Sequence, residues 1–238
     1  YLGTSLPVFF NGSSSDFTFC LNQNSINDIL EKGRFDILHF HNFGLHSWQI
    51  LEKSKTTNVL TFHSHTDLKK NLFFQIQSLV KTAFLKIVDE KIDGIIGVSV
   101  MAMEPFKKYK GPKTIIPNGI DTDKFNPKNK RIEKYLDGKI NLFFLGRIEE
   151  RKGLIYLLKA YKALKPKFPN TRIIVVGEGV LKESCQKFVA DNKLKDVIFE
   201  NNVKEKEIPS YYATCDIYVS PAIFGESFGI VLLEAMAS

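Results

Sequence analysis

Lys139-Ile140-Asn141-Leu142-Phe143-Phe144-Leu145-Gly146 reads as a buried strand: five of the six residues from Ile140 to Leu145 are apolar, without alternation, and a glycine closes the run. An alternating run would leave one face to water, whereas a continuous one suits a parallel strand covered on both faces. The run follows a break. Pro117-Asn118-Gly119-Ile120-Asp121 is turn chemistry, because proline presets φ while asparagine and glycine tolerate left-handed backbone. After it comes the polar stretch Asp123–Gly138, with Pro127 and several lysines. A buried strand that restarts beyond such a stretch begins a second domain.

Outward from this strand, short apolar runs alternate with longer helical patterns. Strands are expected at Phe35–Phe40, Asn58–Phe62, Gly94–Val98, Lys113–Ile116, Arg172–Val176, Val197–Phe199 and Ile217–Ser220. Helices are expected at Ser25–Glu31, Leu45–Ser54, Leu68–Val88, Val100–Tyr109, Gly153–Lys165, Leu181–Asn192 and Glu207–Ala213. This alternation predicts an α/β class of doubly wound, Rossmann-like domains with parallel sheets. The expected division is a first domain over 1–122, a linker over 123–138 and a second domain over 139–238. The long pattern Leu68–Asp89 is read as a core helix with a solvated lysine face.

Composition narrows the classes. The 238 residues are 44% hydrophobic and 25% charged, as in an ordinary globular protein. No run of eighteen apolar residues suggests a membrane span. Three scattered cysteines, Cys20, Cys185 and Cys215, argue against a disulfide framework or a cysteine metal site and suit a reducing cytoplasm. The formal charge of +7 favours anionic ligands. The lysines are spread along the chain rather than clustered as in a nucleic-acid groove, so no nucleic-acid partner is expected.

Three segments carry candidate chemistry. Gly146-Arg147 closes the deciding strand, and Lys152-Gly153 opens the next helix. Ligands of open α/β sheets bind beyond the carboxyl ends of the strands, where a guanidinium and an ammonium can neutralise a diphosphate. Arg151 competes with Lys152 for that role. Gly177-Glu178-Gly179 follows a strand but lacks the third glycine of a dinucleotide fingerprint, so it is read as a tight turn under a ligand rather than an NAD site. In G-E-S-F-G-I-V-L-L-E-A-M-A, Gly225–Ala237, a helix is expected over Phe228–Ala237. Glu226 then precedes the helix start, where open N–H groups and the dipole attract anions and sugar oxygens. Glu234 lies eight residues on, roughly 800° around the helix axis. Carboxylates accept from vicinal hydroxyls, so the pair points to a sugar, a ribose or both.

G-R-I-E-E-R-K-G, V-V-G-E-G, D-I-Y-V-S-P and G-E-S-F-G-I-V-L-L-E-A-M-A-S occur in this order, and together they resemble the retaining GT-B glycosyltransferases of family 4, of the phosphatidylinositol mannosyltransferase type. F-D-I-L-H-F-H, T-F-H-S-H and I-I-P-N-G-I-D-T-D-K-F-N-P resemble first-domain segments of the same family, so the likeness covers nearly the whole chain.

The resemblance implies transfer of a hexose, such as mannose or glucose, from a GDP- or UDP-linked donor to a lipid, glycan or small-molecule acceptor. By similarity, Gly146, Arg147 and Lys152 lie at the donor diphosphate, and the two cations take the place of a divalent metal; no metal and no cofactor is expected. Glu226 would hold hydroxyls of the transferred sugar. The N–H groups of Phe228, Gly229 and Ile230 would position sugar and phosphate, with Gly177 beneath the donor. Glu234 would bond the ribose hydroxyls, and the Asn202-Val203-Lys204 loop would receive the base. His63 matches a histidine near the reaction centre. His39 and His41 are second-tier candidates, expected to face opposite sides of their strand. The expected location is the cytoplasm, alone or in peripheral contact with the inner face of the membrane. No classical nucleophile is expected, in contrast to retaining glycosidases. A non-catalytic Rossmann-type nucleotide-binding module, or an inactive piece of such an enzyme, is the alternative. The chain starts without methionine and stops inside an expected helix. It is therefore read as a piece of a longer protein that lacks the family's first strand, glycine-rich loop and closing helices.

Overall fold

The computed structural model describes residues 4–10, 13–19, 23–41, 45–63 and 74–238. The chain forms two units, Tyr1–Asn118 with Gly225–Phe228, and Gly119–Phe224 with Gly229–Ser238.

The first unit opens with a hairpin that sequence reading did not anticipate: β1 (Thr4–Phe10) pairs antiparallel with β2 (Ser13–Phe19). Next come α1 (Gln23–Gly33), β3 (Ile37–His41), α2 (Leu45–Lys53), β4 (Thr57–Phe62), α3 (Phe74–Lys91), β5 (Gly94–Gly97), the short α4 (Val100–Met103) and β6 (Lys113–Ile115). Strands β3 to β6 form a parallel sheet in chain order. Its core joins Leu60 and Phe62 of β4, Ile95 of β5, Leu51, Val88 and Phe106. Ser99 caps α4, accepting from the Ala102 N–H at 3.0 Å, which satisfies one of the open donors of that helix end. The first residues of the expected helix, 68–73, and Cys20 lie outside the described residues.

The second unit contains β7 (Ile140–Leu145), α5 (Leu154–Leu164), β8 (Thr171–Val176), α6 (Lys182–Asp191), β9 (Val197–Glu200), α7 (Ile208–Thr214), β10 (Ile217–Tyr218) and α8 (Ile230–Ala237). Its parallel sheet has the order β10-β7-β8-β9. Successive side chains of a strand point to opposite faces, and both faces are covered here. Phe144, Ile173 and Val175 pack with α5 and α6 residues Leu154, Leu158, Tyr161 and Cys185. Phe143, Ile174 and Val176 pack with Tyr211 and Tyr212 of α7 and with Phe125 and Tyr135. Each fully buried phenylalanine or isoleucine contributes about 1.5–3 kcal/mol relative to exposure, which explains why these strands tolerate no polar alternation. Helix α5 buries Leu154, Leu157, Leu158 and Tyr161, a single stripe at helical spacing.

Phe125 and Tyr135 fall in the stretch read as a linker, and both are buried in the core of the second unit. Cys185 and Cys215 are both free thiols. Among the described residues, no helix is long and apolar enough to cross a membrane.

Candidate functional site

The order β10-β7-β8-β9 reverses direction once: the chain steps from β7 to β8 to β9, then returns to the far side of β7 as β10. In open parallel sheets, ligands bind outside the carboxyl ends of strands at such a reversal, where loops diverge to opposite faces and leave a crevice. Here the loop after β7 carries Gly146, Arg147 and Lys152, and the loop after β10 runs from Val219 into Gly229. These loops are laced together within the unit. The Ile223 N–H donates to the Arg151 carbonyl at 2.9 Å, the Ile148 N–H to the Glu178 carbonyl at 2.8 Å, and the Leu181 N–H to the Ile148 carbonyl at 3.0 Å.

Gly177 and Gly179, expected in a tight turn under a ligand, sit where two loops come into close backbone contact. Their φ values are +151° and +156°, and a Cβ there would meet the carbonyl oxygens of Gly146 and Ile148 at 1.9 and 2.4 Å. The two glycines let the β7 and β8 loops touch backbone to backbone.

Glu149 is a feature that motif reading passed over. It is 4% exposed, and its carboxylate accepts from Arg151 Nε at 2.5 Å, with Arg147 Nη2 at 3.5 Å. Arg151 is thus committed to an internal acid, whereas the Arg147 side chain is half exposed, which favours Lys152 over Arg151 as the second cation of the loop. A buried charge stripped of its partner is costly. Glu149→Ala is expected to destabilise the protein by about 3 kcal/mol, measured by urea unfolding; a change below about 1 kcal/mol would show that Glu149 does not organise the loop.

Val203 follows β9 at the same carboxyl edge, next to Asn202 with its left-handed φ of 56°. Helix α8 starts at Ile230, two residues later than expected, after Gly229 in left-handed backbone. Phe228 and Gly229 therefore belong to the approach to the helix rather than to its first turn. Glu234 lies on α8, and its Oε2 accepts from the Tyr212 hydroxyl at 2.9 Å.

In the first unit, His63 directly follows β4. Its Nε2 lies 3.0 Å from His41 Nδ1, and His39 Nε2 lies 2.6 Å from Thr61 Oγ1. The rings of His39 and His41 are 4.4 Å apart. This corrects the expectation that they face opposite sides: residues two apart on a strand share a face. Burial, and then the neighbouring His41, hold His39 and His63 below the ordinary imidazole value. Gly225–Phe228 belongs to this unit. Ser227 Oγ donates to the His63 carbonyl and Ser99 Oγ to the Ser227 carbonyl, both at 2.5 Å, and Phe228 packs on the core. Glu226, half-buried, is carried by this anchored segment. Among the described residues, no three His, Cys, Asp or Glu side chains are arranged to hold a metal ion.

The structure thus brings Gly146, Arg147, Lys152, Gly177 and Val203 to one sheet edge of the second unit, with Glu234 on α8. It brings His39, His41 and His63 together in the first. The aligned histidines were readable from strand periodicity; Glu149 and Tyr212 left no signal in the motifs.

Comparison with known proteins places the chain in a family. Residues 3–124 match the family model described as Glycosyltransferase Family 4, and residues 125–238 the model described as Glycosyl transferases group 1. The chain is 32% identical to the phosphatidyl-myo-inositol mannosyltransferase of Mycobacterium tuberculosis, over 99% of this chain and 61% of that protein. It is 31% identical to the D-inositol 3-phosphate glycosyltransferase of Pseudarthrobacter chlorophenolicus, over 86% of this chain and 53% of that one. Among solved structures, sucrose-phosphate synthase from Thermosynechococcus elongatus superposes with a TM-score of 0.72 at 20% identity, covering 90% of this chain and 57% of that one. The chain spans about three-fifths of the length of its mannosyltransferase relatives.

Proposed function

The chain belongs to glycosyltransferase family 4, with GT-B-type units, and from that premise we propose that the protein transfers a hexose from a nucleoside-diphosphate sugar to a hydroxyl of a lipid, glycan or small-molecule acceptor, with retention at the anomeric carbon. The observation that carries this reading is the sheet reversal between β7 and β10, with Arg147 and Lys152 on the loop at the end of β7. Cations at that position suit a diphosphate. The anomeric carbon–diphosphate bond breaks, and a bond forms to the acceptor hydroxyl oxygen. The hydroxyl proton passes to the departing diphosphate.

Arg147 and Lys152 stabilise the charge that grows on the leaving group, which is where preorganised electrostatics contributes most. Glu226 orients hydroxyls of the transferred sugar, and Glu234 bonds those of the ribose. Gly177 keeps the β8 loop against Gly146, and the loop at Val203 receives the base. The N–H groups of Phe228, Gly229 and Ile230 position sugar and phosphate. His63 contacts the transferred sugar or acceptor, and neither a metal nor a cofactor enters the step. The inositol-directed names of the relatives support a polyol-bearing acceptor, such as a phosphoinositide at the cytoplasmic face of the membrane.

The test is a panel of GDP-, UDP- and ADP-linked hexoses, assayed by product mass with the protein expressed from its complete gene. Release of one nucleoside diphosphate per glycoside formed is the expected result; hydrolysis alone, or no turnover of any donor, would refute the proposal. Glu226→Gln removes a charged acceptor worth about 1.5–3 kcal/mol, so kcat/KM should fall roughly 10- to 100-fold. An unchanged kcat/KM would remove Glu226 from the site.

A further inference from the structure

Helix α7 presents Tyr212 to α8 from inside the second unit. The residue is 2% exposed. Its ring is enclosed by Phe143 at 5.2 Å, Tyr218 at 5.4 Å and Phe125 at 5.8 Å, with the two phenylalanines edge-on. Aromatic rings packed at such centroid distances hold one another in fixed orientations. The hydroxyl at the end of this fixed ring lies 2.9 Å from Glu234 Oε2 and 3.2 Å from the Val231 carbonyl, both on α8. Nearby Lys124 is committed elsewhere, donating to Glu205 Oε1 at 2.7 Å.

We propose that Tyr212 is a positioning residue for nucleotide recognition: its hydroxyl holds one oxygen of Glu234 so that the other is presented to the vicinal hydroxyls of a ribose. The inference rests on the proposed role of Glu234. A glutamate on a helix surface explores several rotamers, and a ligand that needs only one must bear the cost of selecting it. The phenol removes that cost beforehand. A carboxylate has about four lone-pair sites, so acceptance from Tyr212 leaves capacity for two sugar hydroxyls. Burial above all keeps the phenol protonated far above neutral pH, so it acts as a donor throughout the working range. This is the arrangement of a binding group supported by a second, rigid layer.

The test compares calorimetric affinities of GDP, UDP and ADP with those of their 2′,3′-dideoxy counterparts, using the protein expressed from its complete gene. The wild type should prefer the ribonucleotide of its favoured base by about tenfold or more, the size expected for hydrogen bonds to a charged acceptor. Tyr212→Phe keeps the ring and deletes only the donor. It should compress that preference to about threefold or less, while affinity for the dideoxy nucleotide changes less than about twofold. Tyr161→Phe removes a buried hydroxyl that donates to the Thr171 carbonyl at 2.7 Å on the opposite face of the sheet, and it should leave the preference intact. Equal weakening of both nucleotides, or an undiminished preference in Tyr212→Phe, would overturn the inference by showing a purely structural tyrosine. A wild type that binds nucleotides without regard to the ribose hydroxyls would instead remove the role of Glu234, and the inference with it. Failure to bind any of the nucleotides would refute the transferase reading itself.

Discussion

Replacing Arg147 by alanine is expected to lower kcat/KM for the donor by about 10²–10³-fold, equivalent to roughly 2.7–4 kcal/mol of transition-state stabilisation. Two features set the size of this effect. The guanidinium belongs to the loop at the end of β7, beside the sheet reversal, and in the proposed reaction the already anionic diphosphate gains further negative charge as the sugar–phosphate bond breaks. An interaction that strengthens toward the transition state appears in kcat rather than KM. Glu149 sharpens the expectation: it is buried, sits 3.5 Å from Arg147, and bonds Arg151 more closely at 2.5 Å. It can therefore orient Arg147 while most of its charge is compensated by Arg151. Lys152→Ala should act in the same direction, and the double variant should lose less than the product of the two single losses, because the groups act on one charge. Steady-state kinetics with a fixed acceptor decides the matter. A rise in KM with kcat unchanged would mean that Arg147 only binds ground-state donor.

Gly177→Ala is the second large effect, on stability. A methyl group at position 177 would lie 1.9 Å from the Gly146 carbonyl oxygen, at a φ of +151°. The backbone conformation alone costs about 1–3 kcal/mol for a residue with a side chain. The clash cannot be relieved by a rotamer change, because the obstacle is backbone on the neighbouring strand end. The Gly146 N–H bond to the Val176 carbonyl, 3.1 Å long, would have to open or shift. Together these place the loss at about 3 kcal/mol or more, a fall in Tm of about 10 °C for a chain of this size. Glu178→Ala, between the two glycines, is the control: its side chain is 70% exposed and pairs with Lys182, and surface pairs contribute about 0–1 kcal/mol. Thermal unfolding followed by circular dichroism distinguishes the two. If Gly177→Ala melts within about 2 °C of the wild type, the crowding at Gly146 is not rigid.

The two effects are connected, because Gly177 holds the β8 loop against the residue that precedes Arg147. A variant that displaces Gly146 should also weaken catalysis, and the kinetic loss of Gly177→Ala measured below its melting temperature reports how firmly that backbone contact aims the cation.

Much of the fold was legible along the chain. Every strand expected from an apolar run between Phe35 and Ser220 forms, within two residues at either end. The run Ile140–Leu145 is apolar but for Asn141 because the two faces of β7 enter two cores, Phe144 one and Phe143 the other. The hairpin β1–β2 escaped notice because Ser13-Ser14-Ser15-Asp16 lacks the apolar content that marks a strand. In the stretch expected as a linker, a polar majority hid Phe125 and Tyr135, which pack in the second core.

Local pattern was enough to place the strands from Phe35 onward and most of the helices, and to show that Arg147 and Lys152 follow a strand while Glu226 and Glu234 bracket a helix start. Those properties depend on neighbours a few residues apart and on periods of two or 3.6. Tertiary structure alone decided that β10 returns beside β7, that Glu149 is buried between Arg147 and Arg151, and that Tyr212 reaches Glu234. Strand order, the burial of a charge and a bond between two helices depend on residues brought together by long crossovers. No local pattern encodes those meetings; packing both faces of the sheet does.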